Sequence, residues 1–345
     1  MRLILALMLA CVALRAISGT LDEGVAAYAR EDYQTALRLL RPLAEQGNPQ
    51  AQLYLGRMFE TGQGVARDDV EAARWYRKSA DQNNASAQYS VGRMYVTGRG
   101  VPQNAAEAAK WYRRAADQGQ PNAQFHLGLM YRLGKGVTQN DTEAVAWWRK
   151  AAEQGHAEAQ ESLGHAYSFG AGVNRDDAEA LRWYRQAADQ GLSEAQYLLA
   201  DAYYNGKGAP KDDVEAAKWY RRAAEQDNAN AQYSLGLMYY VGRGVPQDEA
   251  EAAKWYRRAA DLGHPNAQNS LGHMYDFGLG MPRDYVQAHK WYSLAAANSS
   301  ASNQLRSDAT KNRDRIHQRM TPAQITEAQR LAIEWKPTAQ RSSSR

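Results

Sequence analysis

The chain has 345 residues, of which 44% are hydrophobic and 23% are charged, and its formal net charge is +4 at neutral pH. This composition is typical of a folded, water-soluble protein and excludes a disordered chain. The small excess of positive charge argues against a nucleic-acid partner, because such partners are bound by strongly basic surfaces.

The first eighteen residues have the pattern of a secretory signal peptide. Arg2 supplies a positive start and residues 3–14 form an apolar run. Ala16 and Ser18 then place small side chains at the two positions that a signal peptidase reads. We therefore expect cleavage near Ser18-Gly19 and a periplasmic or secreted protein, with no transmembrane segment in the mature chain. The alternative is a lipoprotein anchored at Cys11. Cys11 is the single cysteine, so cleavage would exclude disulfides and cysteine-based zinc sites.

Residues 19–50 are predicted to form an N-terminal cap. They contain a shortened helix pair, around Ala26 and from about Tyr33 to Leu37, without the glycine-rich insertion found further along. A stack of helical hairpins needs such a cap, because the outer face of its terminal unit would otherwise remain exposed.

From residue 51 onward the sequence repeats every 36 residues. The dipeptide Ala-Gln recurs seven times at this interval, and residues 87–122 agree with residues 231–266 at 28 of 36 positions. The decapeptide Glu-Ala-Ala-Lys-Trp-Tyr-Arg-Arg-Ala-Ala occurs three times, starting at Glu107, Glu215 and Glu251. The seven predicted units are 51–86, 87–122, 123–158, 159–194, 195–230, 231–266 and 267–302.

Each unit is predicted to contain two helices. In residues 231–266 the first helix runs from about Asn230 to Tyr240, and Gly236 lies in its apolar stripe, where a missing side chain lets another helix come close. Paired glycines at 242 and 244 end this helix, because glycine tolerates a left-handed turn. Asp248, followed by Glu251, predicts a capping box at the start of the second helix, and all seven units repeat this pattern.

The C-terminal part is predicted to cap the array with two further helices over residues 303–336. Residues 303–320 form a charged helix, and the final helix carries an apolar stripe at Ile325, Ala328, Leu331 and Trp335. Residues 337–345 are predicted to be a disordered tail. The sequence therefore predicts an all-α, right-handed α/α solenoid of 36-residue helix-turn-helix repeats with N- and C-terminal capping helices.

The repeat pattern resembles the Sel-one-like repeat, a relative of the tetratricopeptide repeat, over residues 51–302. The resemblance implies a right-handed superhelix that serves protein–protein interaction. It also implies a periplasmic scaffold or regulator, because bacterial members with signal peptides often have that role. A cysteine-rich branch of the family binds penicillins and has been described as having β-lactamase activity, and a mature chain without cysteine departs from that branch.

The sequence motifs that could indicate phosphate or metal binding are explained by structural roles in the repeat. The glycine pairs, such as Gly98 and Gly100, follow a helix and precede an extended segment, whereas a phosphate loop follows a strand. His156 and His165 are nine residues apart, as are His264 and His273, but no third metal ligand recurs beside both pairs. These histidines are predicted to lie in variable loops and on the surface. We predict no catalytic residues, no metal, no cofactor and no enzymatic activity.

One face of the first helices varies between units while the rest of the repeat is constant. In a solenoid of this kind the first helices line the concave side, and Tyr, Phe and Arg are favoured interface residues. The candidate partner-binding residues are Tyr89, Arg93, Phe125, Leu129, Arg132, His165, Tyr197, Asp201, Tyr204, Tyr233, Leu237, Tyr240 and His273. Alternatively, the rings on this face only help the helices to pack together.

The sequence thus favours a non-enzymatic scaffold or regulator of the bacterial cell envelope that binds an envelope enzyme, a sensor or a secretion component. Two other functions remain open. The aromatic face would also suit peptidoglycan or another glycan, and the family resemblance includes β-lactam-binding envelope hydrolases.

Overall fold

A computed structural model describes residues 19–338, and the predicted signal peptide, the alternative lipid anchor at Cys11 and residues 339–345 lie outside this range. Among the described residues the secondary structure is helical, with no strand. The chain divides into two compact units, one ending at Arg175 and the other starting at Asp176. Each unit is a stack of helix pairs in which successive helices pack against each other. The prediction of an all-α repeat protein built from helix pairs is confirmed.

Unit 1 contains nine helices in its described part. After α1 (19–29) they are α2 (Tyr33–Glu45), α3 (Pro49–Thr61), α4 (Asp69–Asp81), α5 (Ala85–Thr97), α6 (Ala105–Asp117), α7 (Pro121–Leu133), α8 (Asp141–Glu153) and α9 (Ala157–Phe169).

Unit 2 contains another nine helices in its described part. They are α10 (Asp177–Asp189), α11 (Ser193–Asn205), α12 (Asp213–Glu225), α13 (Ala229–Val241), α14 (Glu249–Asp261), α15 (Pro265–Phe277), α16 (Tyr285–Ala297), α17 (Asn303–His317) and α18 (Pro322–Glu334). None of the helices in residues 19–338 is both long enough and apolar enough to cross a membrane.

The glycine pairs of the repeat lie where the chain leaves each first helix. Gly98 ends α5 in the left-handed region with a φ of 71°, and its N–H donates to the carbonyl of Met94. Gly100 also has a φ of 71°, and a Cβ on it would lie 1.9 Å from the carbonyl oxygen of Asp69 in the preceding repeat. The first glycine is therefore required by the turn, and the second also by the close approach of two repeats.

The second helices begin at an Asp or Asn cap, but the predicted capping box is only half formed. The side chain of Asp248 accepts a hydrogen bond of 2.9 Å from the N–H of Glu251. The N–H of Asp248 itself donates to the carbonyl of Tyr239 on the first helix. Because this donor is already satisfied, the Glu251 carboxylate pairs with Lys254 instead. The reciprocal bond predicted from the sequence was therefore wrong for this helix.

The core of each repeat consists of small residues on both helices and of aromatic rings on the second helix. Ala252 and Ala259 are fully buried on α14, and Tyr256 of the same helix is 3% exposed. A Cβ on Gly236 would lie 2.8 Å from Cδ1 of Tyr256, so the absence of a side chain lets α13 and α14 approach closely. The prediction for Gly236 is confirmed.

A buried glutamine near the start of each first helix links neighbouring repeats. The Gln88 amide donates to the carbonyl of Ala80 on the preceding second helix, at 3.2 Å. Its side-chain oxygen accepts a 2.6 Å hydrogen bond from Gln118, at the end of the second helix of its own repeat. The glutamine is 2% exposed, so its polar groups need these partners.

The C-terminal helices cover the last repeat. Helices α17 and α18 both pack on α16, with Ile316 and Ala328 fully buried against Ala288 and Tyr292. Pro337 and Thr338 fall in the stretch predicted to be a disordered tail, yet Thr338 donates to the carbonyl of Asp261 at 3.2 Å.

Candidate functional site

The candidate residues lie on α5, α7 and α9 in unit 1 and on α11, α13 and α15 in unit 2. We call the side of each unit formed by these residues and by their neighbours at the C-terminal ends of the same helices the first-helix face. The candidate residues are half-buried, apart from the exposed Arg132. Their contacts separate them into packing residues, ion-paired residues and residues that line clefts.

The aromatic rings near the start of the first helices are packing residues. Tyr89, Tyr197 and Tyr233 each lie against the tyrosine that follows the tryptophan on the next helix, with ring centroids 5.6, 5.9 and 5.7 Å apart. Phe125 stacks on His156, the N-cap residue of α9, with ring centroids 4.8 Å apart. Burial also raises the pKa of the three tyrosines. These rings contribute mainly to contacts within and between repeats.

The two candidate arginines are held by carboxylates. Arg93 lies 2.5 Å from Glu60 of the preceding repeat, and Glu60 also accepts a hydrogen bond of 2.8 Å from Tyr76. Arg132 makes two hydrogen bonds of 3.0 and 3.1 Å to Asp141 on the following helix. A partner with an acidic group would have to compete with these carboxylates.

In unit 2 an arginine between the paired glycines covers one of the candidate tyrosines. Arg243 lies 3.8 Å from the ring centroid of Tyr204 and pairs with Asp213 at 2.9 Å. Asp201, one helical turn before Tyr204, makes no ion pair among the described residues. The Asp201 carboxylate contributes to the raised pKa of Tyr197, after burial of that ring.

Two clefts open on the first-helix face of unit 1, on either side of α7. The cleft between α5 and α7 has a volume of about 520 Å³. The cleft between α7 and α9 has a volume of about 210 Å³ and brings together Leu129, Arg132 and His165. Leu129 lines both clefts, so they adjoin across one helix. The lining of the larger cleft is Val96, Gln103, Ala105, Tyr112, His126, Leu129, Met130, Leu133 and Lys135.

A cleft of about 290 Å³ in unit 2 lies between α13 and α15. It brings together the candidate residues Leu237, Tyr240 and His273, with Asn269 beside them. The side-chain oxygen of Asn269 is buried and has no hydrogen-bond partner among the described residues. The structure thus places some candidate residues in clefts, and Tyr89, Phe125, Tyr197 and Tyr233 outside them.

The apolar residues at the last position of the first helices were not among the residues predicted from the sequence. Leu133 and Phe169 in unit 1 are 58% and 77% exposed, and Val241 and Phe277 in unit 2 are 52% and 45% exposed. Leu133 and Phe169 each line one of the unit 1 clefts. The signal was an apolar residue directly before the first glycine, one residue beyond the face that the sequence analysis considered.

Two of the histidines that line these clefts, His126 and His273, are neutral at neutral pH. Burial lowers the pKa of His126 and of His273, so their imidazoles act as hydrogen-bonding groups rather than as cations. His165 and His273 lie against the exposed Phe169 and Phe277, with ring centroids 6.1 and 4.6 Å apart. Lys135 is exposed and makes no ion pair among the described residues. The first-helix face of unit 1 therefore offers apolar surface, neutral polar groups and one available cation.

His156 and His264 have a structural role that differs from the prediction of loop and surface residues. Each is the N-cap of a first helix, and its Nδ1 accepts a hydrogen bond from a backbone N–H, at 3.3 Å for His156 and 3.2 Å for His264. Asn48 and Asn228 take the same position in other repeats. Residues 19–338 contain no group of three or more His, Cys, Asp or Glu side chains that could hold a metal ion.

A cleft on the opposite side of α5 could compete for a partner. It has a volume of about 320 Å³ and is lined by Val70, Arg74, Val91, Met94 and Val101 among others. Val70 is 60% exposed at the start of α4. Val70 lines this cleft and neither of the two unit 1 clefts on the first-helix face, so a substitution of Val70 can distinguish the two sites.

Comparison with known proteins gives a consistent result. The family model described as Sel1 repeat matches residues 21–48, 49–84, 85–120, 121–156, 157–192, 193–228, 229–264 and 265–300. The first of these segments falls on the shortened helix pair that the sequence analysis predicted to be a cap. A search of curated proteins found no match.

Two solved structures are similar to this chain over most of its length. One is a protective antigen present in uropathogenic Escherichia coli strains that displays an SLR fold. It is 34% identical with a TM-score of 0.59, over 94% of this chain and 77% of that chain. The other is a Sel1 repeat protein from Oxalobacter formigenes, 34% identical with a TM-score of 0.63, over 70% of this chain and 96% of that chain.

Proposed function

The chain belongs to the Sel1 repeat family, whose members are generally protein-interaction scaffolds, and on that premise we propose that it is a non-enzymatic scaffold of the bacterial cell envelope. Its partner would be a protein segment held on the first-helix face. The location in the envelope is supported by the signal-like pattern of residues 1–18.

The observation that carries this proposal is the pair of adjoining clefts on either side of α7. Leu133 and Phe169 expose apolar surface beside them, and Leu129 separates them. Exposed apolar surface of this kind is favourable to bury against a partner, and apolar pockets in a row suit a segment with apolar side chains at intervals. Lys135 at the rim of the larger cleft favours a segment that also carries an acidic side chain.

The structure changes which residues should be altered to test this face. Substitution of Tyr197 or Tyr233 would remove a ring that packs on Tyr220 or Tyr256, and would therefore disturb the fold as well as any binding. Leu133 and Phe169 are mostly exposed, so serine at these two positions should leave the fold intact.

The experiment is crosslinked capture of partner proteins from the envelope of the host, with the partners identified by mass spectrometry. The unchanged chain is compared with Leu133→Ser/Phe169→Ser and with the control Val70→Ser/Val214→Ser, which alters residues that are 60% and 54% exposed on second helices. We expect one dominant partner that is lost only in the first variant. Loss in the control variant alone would place the site on the second helices.

The same capture experiment and the purified protein also test the two other functions, binding of a glycan and hydrolysis. Retention of muropeptides or glycan instead of a protein would indicate a cell-wall ligand. Turnover of nitrocefin or cleavage of peptidoglycan by the purified protein would contradict the non-enzymatic proposal.

A further inference from the structure

The chain turns back on itself after α18. Helix α18 ends at Glu334, and we call residues 335–338, Trp-Lys-Pro-Thr, the C-terminal strap. The Trp335 ring meets the Trp291 ring edge-on, with centroids 6.2 Å apart. A Cβ on Gly263 would lie 3.8 Å from both Trp335 and Pro337. The Thr338 hydroxyl donates to the carbonyl of Asp261 at 3.2 Å. The three residues Asp261, Gly263 and Trp291 form the strap seat.

The strap covers a surface that recurs along the chain but is open elsewhere. Gly263 follows the end of a second helix. A Cβ built on the glycine at the equivalent position of other repeats would have no atom of another residue within 4 Å. These open positions are Gly47, Gly119, Gly155 and Gly191. The contact of Gly263 with the strap is therefore a property of the last repeats and not of the repeat itself.

A single change in the repeat pattern explains why the strap binds here. In five other repeats a Lys or Arg three residues after the tryptophan lies over its ring, with distances to the ring centroid from 3.9 to 4.7 Å. The residue at this position after Trp291 is Leu294, and both Leu294 and Trp335 pack against the same hydrophobic cluster. A different cation, Lys290, lies over the Trp291 ring at 4.4 Å from the centroid. The position three residues after the tryptophan is nevertheless apolar, and the surface that Leu294 supplies there suits a second tryptophan.

We infer that the strap seat is a binding site for a Trp-Lys-Pro-Thr segment. The chain fills this site with its own C-terminal strap, and the site accepts the strap of a second copy when its own is displaced. A proline-containing segment suits such a site, because it loses little conformational entropy on binding. The chain's own strap follows α18 directly and so has a high effective concentration at the seat. A second copy therefore binds only where this strap has been weakened.

The test uses the full chain with Trp335→Ala, which removes the contact between the Trp335 and Trp291 rings. The probe is a labelled peptide of residues 334–341, Glu-Trp-Lys-Pro-Thr-Ala-Gln-Arg. Fluorescence anisotropy should show binding to this variant at least about tenfold tighter than to the unchanged chain, whose own strap competes. A peptide with alanine in place of its tryptophan should not bind. Absence of binding to the folded variant would overturn the inference.

The repeat pattern supplies a matched pair of blocking substitutions. Asn83 takes the position of Gly263 in its own repeat with a φ of 67°, so Gly263→Asn should fold while its side chain fills the seat. Gly191→Asn makes the same change where nothing lies within 4 Å. Added to Trp335→Ala, the first substitution should abolish peptide binding and the second should leave it unchanged. Equal effects of the two would contradict the assigned seat.

A second readout applies even if Trp335→Ala does not fold. In the otherwise unchanged chain, Gly263→Asn should displace the strap and speed chymotryptic cleavage after Trp335 several-fold, because a seated strap is protected from the protease. Gly191→Asn should not alter the cleavage rate. Pro337→Asp, which weakens the strap while keeping Trp335, then replaces Trp335→Ala as the background for peptide binding.

Discussion

The side-chain amide of Gln118 donates a 2.6 Å hydrogen bond to the side-chain oxygen of Gln88, thirty residues earlier. The same bond joins Gln82 to Gln52, Gln154 to Gln124 and Gln226 to Gln196, each at 2.8 Å. Gln232 belongs to this series and is fully buried, but Leu262 stands where its donor would be. Its side-chain oxygen has no partner among the described residues.

Leu262→Gln should therefore stabilise the protein. A glutamine at this position would supply the missing donor, and a hydrogen bond of this kind contributes about 1 kcal/mol to the free energy of unfolding. Gln118→Leu should have the opposite effect and cost about 1–3 kcal/mol, because it leaves the buried oxygen of Gln88 unpaired. Urea unfolding of both variants measures the two changes. A Leu262→Gln variant less stable than the unchanged chain would contradict the prediction.

The two glycines that end α5 should respond differently to alanine. A Cβ on Gly98 would lie 3.3 Å from its nearest atom. The loss of stability in Gly98→Ala should therefore come mainly from the left-handed backbone, at about 1–2 kcal/mol. Gly100→Ala adds a contact of 1.9 Å with the carbonyl oxygen of Asp69, which requires the repeats to move apart, and should cost more than about 4 kcal/mol. Thermal unfolding checks the order, and equal losses would rule out the close approach as a cause.

Two carboxylates on first helices are each held by an arginine from the second helix after their own along the chain and by a tyrosine of their own repeat. Arg93→Ala should cost about 1–2 kcal/mol, because the Glu60 side chain that it leaves unpaired is only 13% exposed while Arg93 itself is 43% exposed. Arg315→Ala should cost more, about 3–5 kcal/mol, since the Asp276 side chain is 1% exposed. Denaturant unfolding gives both values. A larger loss of stability in Arg93→Ala than in Arg315→Ala would show that burial of the carboxylate does not determine the cost of removing its arginine.

Acidification should destabilise unit 2 through His264. Burial lowers the pKa of His264 from its ordinary 6.5 to about 4 in the folded chain. Between these two values the unfolded chain binds a proton that the folded chain does not, so the free energy of unfolding falls as the pH drops from about 6.5 to about 4. Protonation would also remove the acceptor at Nδ1 that caps α15.

His264→Asn should reduce this loss while keeping the cap, because Asn228 takes the same position in the preceding repeat. The measurement is urea unfolding at about pH 7 and about pH 5. Some dependence on pH should remain, since burial also lowers the pKa of His289 to about 4. A variant as sensitive to acid as the unchanged chain would show that His264 is not responsible.

The candidate site was predictable only in part. The variable face of the first helices could be found from the sequence, because everything structural is constant around it. The sequence left open whether the aromatic rings of this face bind a partner or pack within the fold. The answer depends on contacts with residues far along the chain. Tyr233, for example, lies against both Tyr256 and His264, at 5.7 and 4.8 Å. The exposed Phe169 lay outside the predicted face, because burial of the last helical residue depends on where the next helix packs.

The sequence by itself determined the repeat, the helix pair within each unit and the residues that end and start each helix. These features follow from local physical rules: helical periodicity of apolar residues, the left-handed conformation of glycine and side-chain capping of backbone donors. Only the tertiary structure decided which partner satisfies each group. It showed that the carbonyl of Tyr239 takes the role assigned to Glu251, and that the C-terminal strap covers Trp291. Such pairings join groups separated by up to tens of residues, and local sequence patterns do not encode their distances.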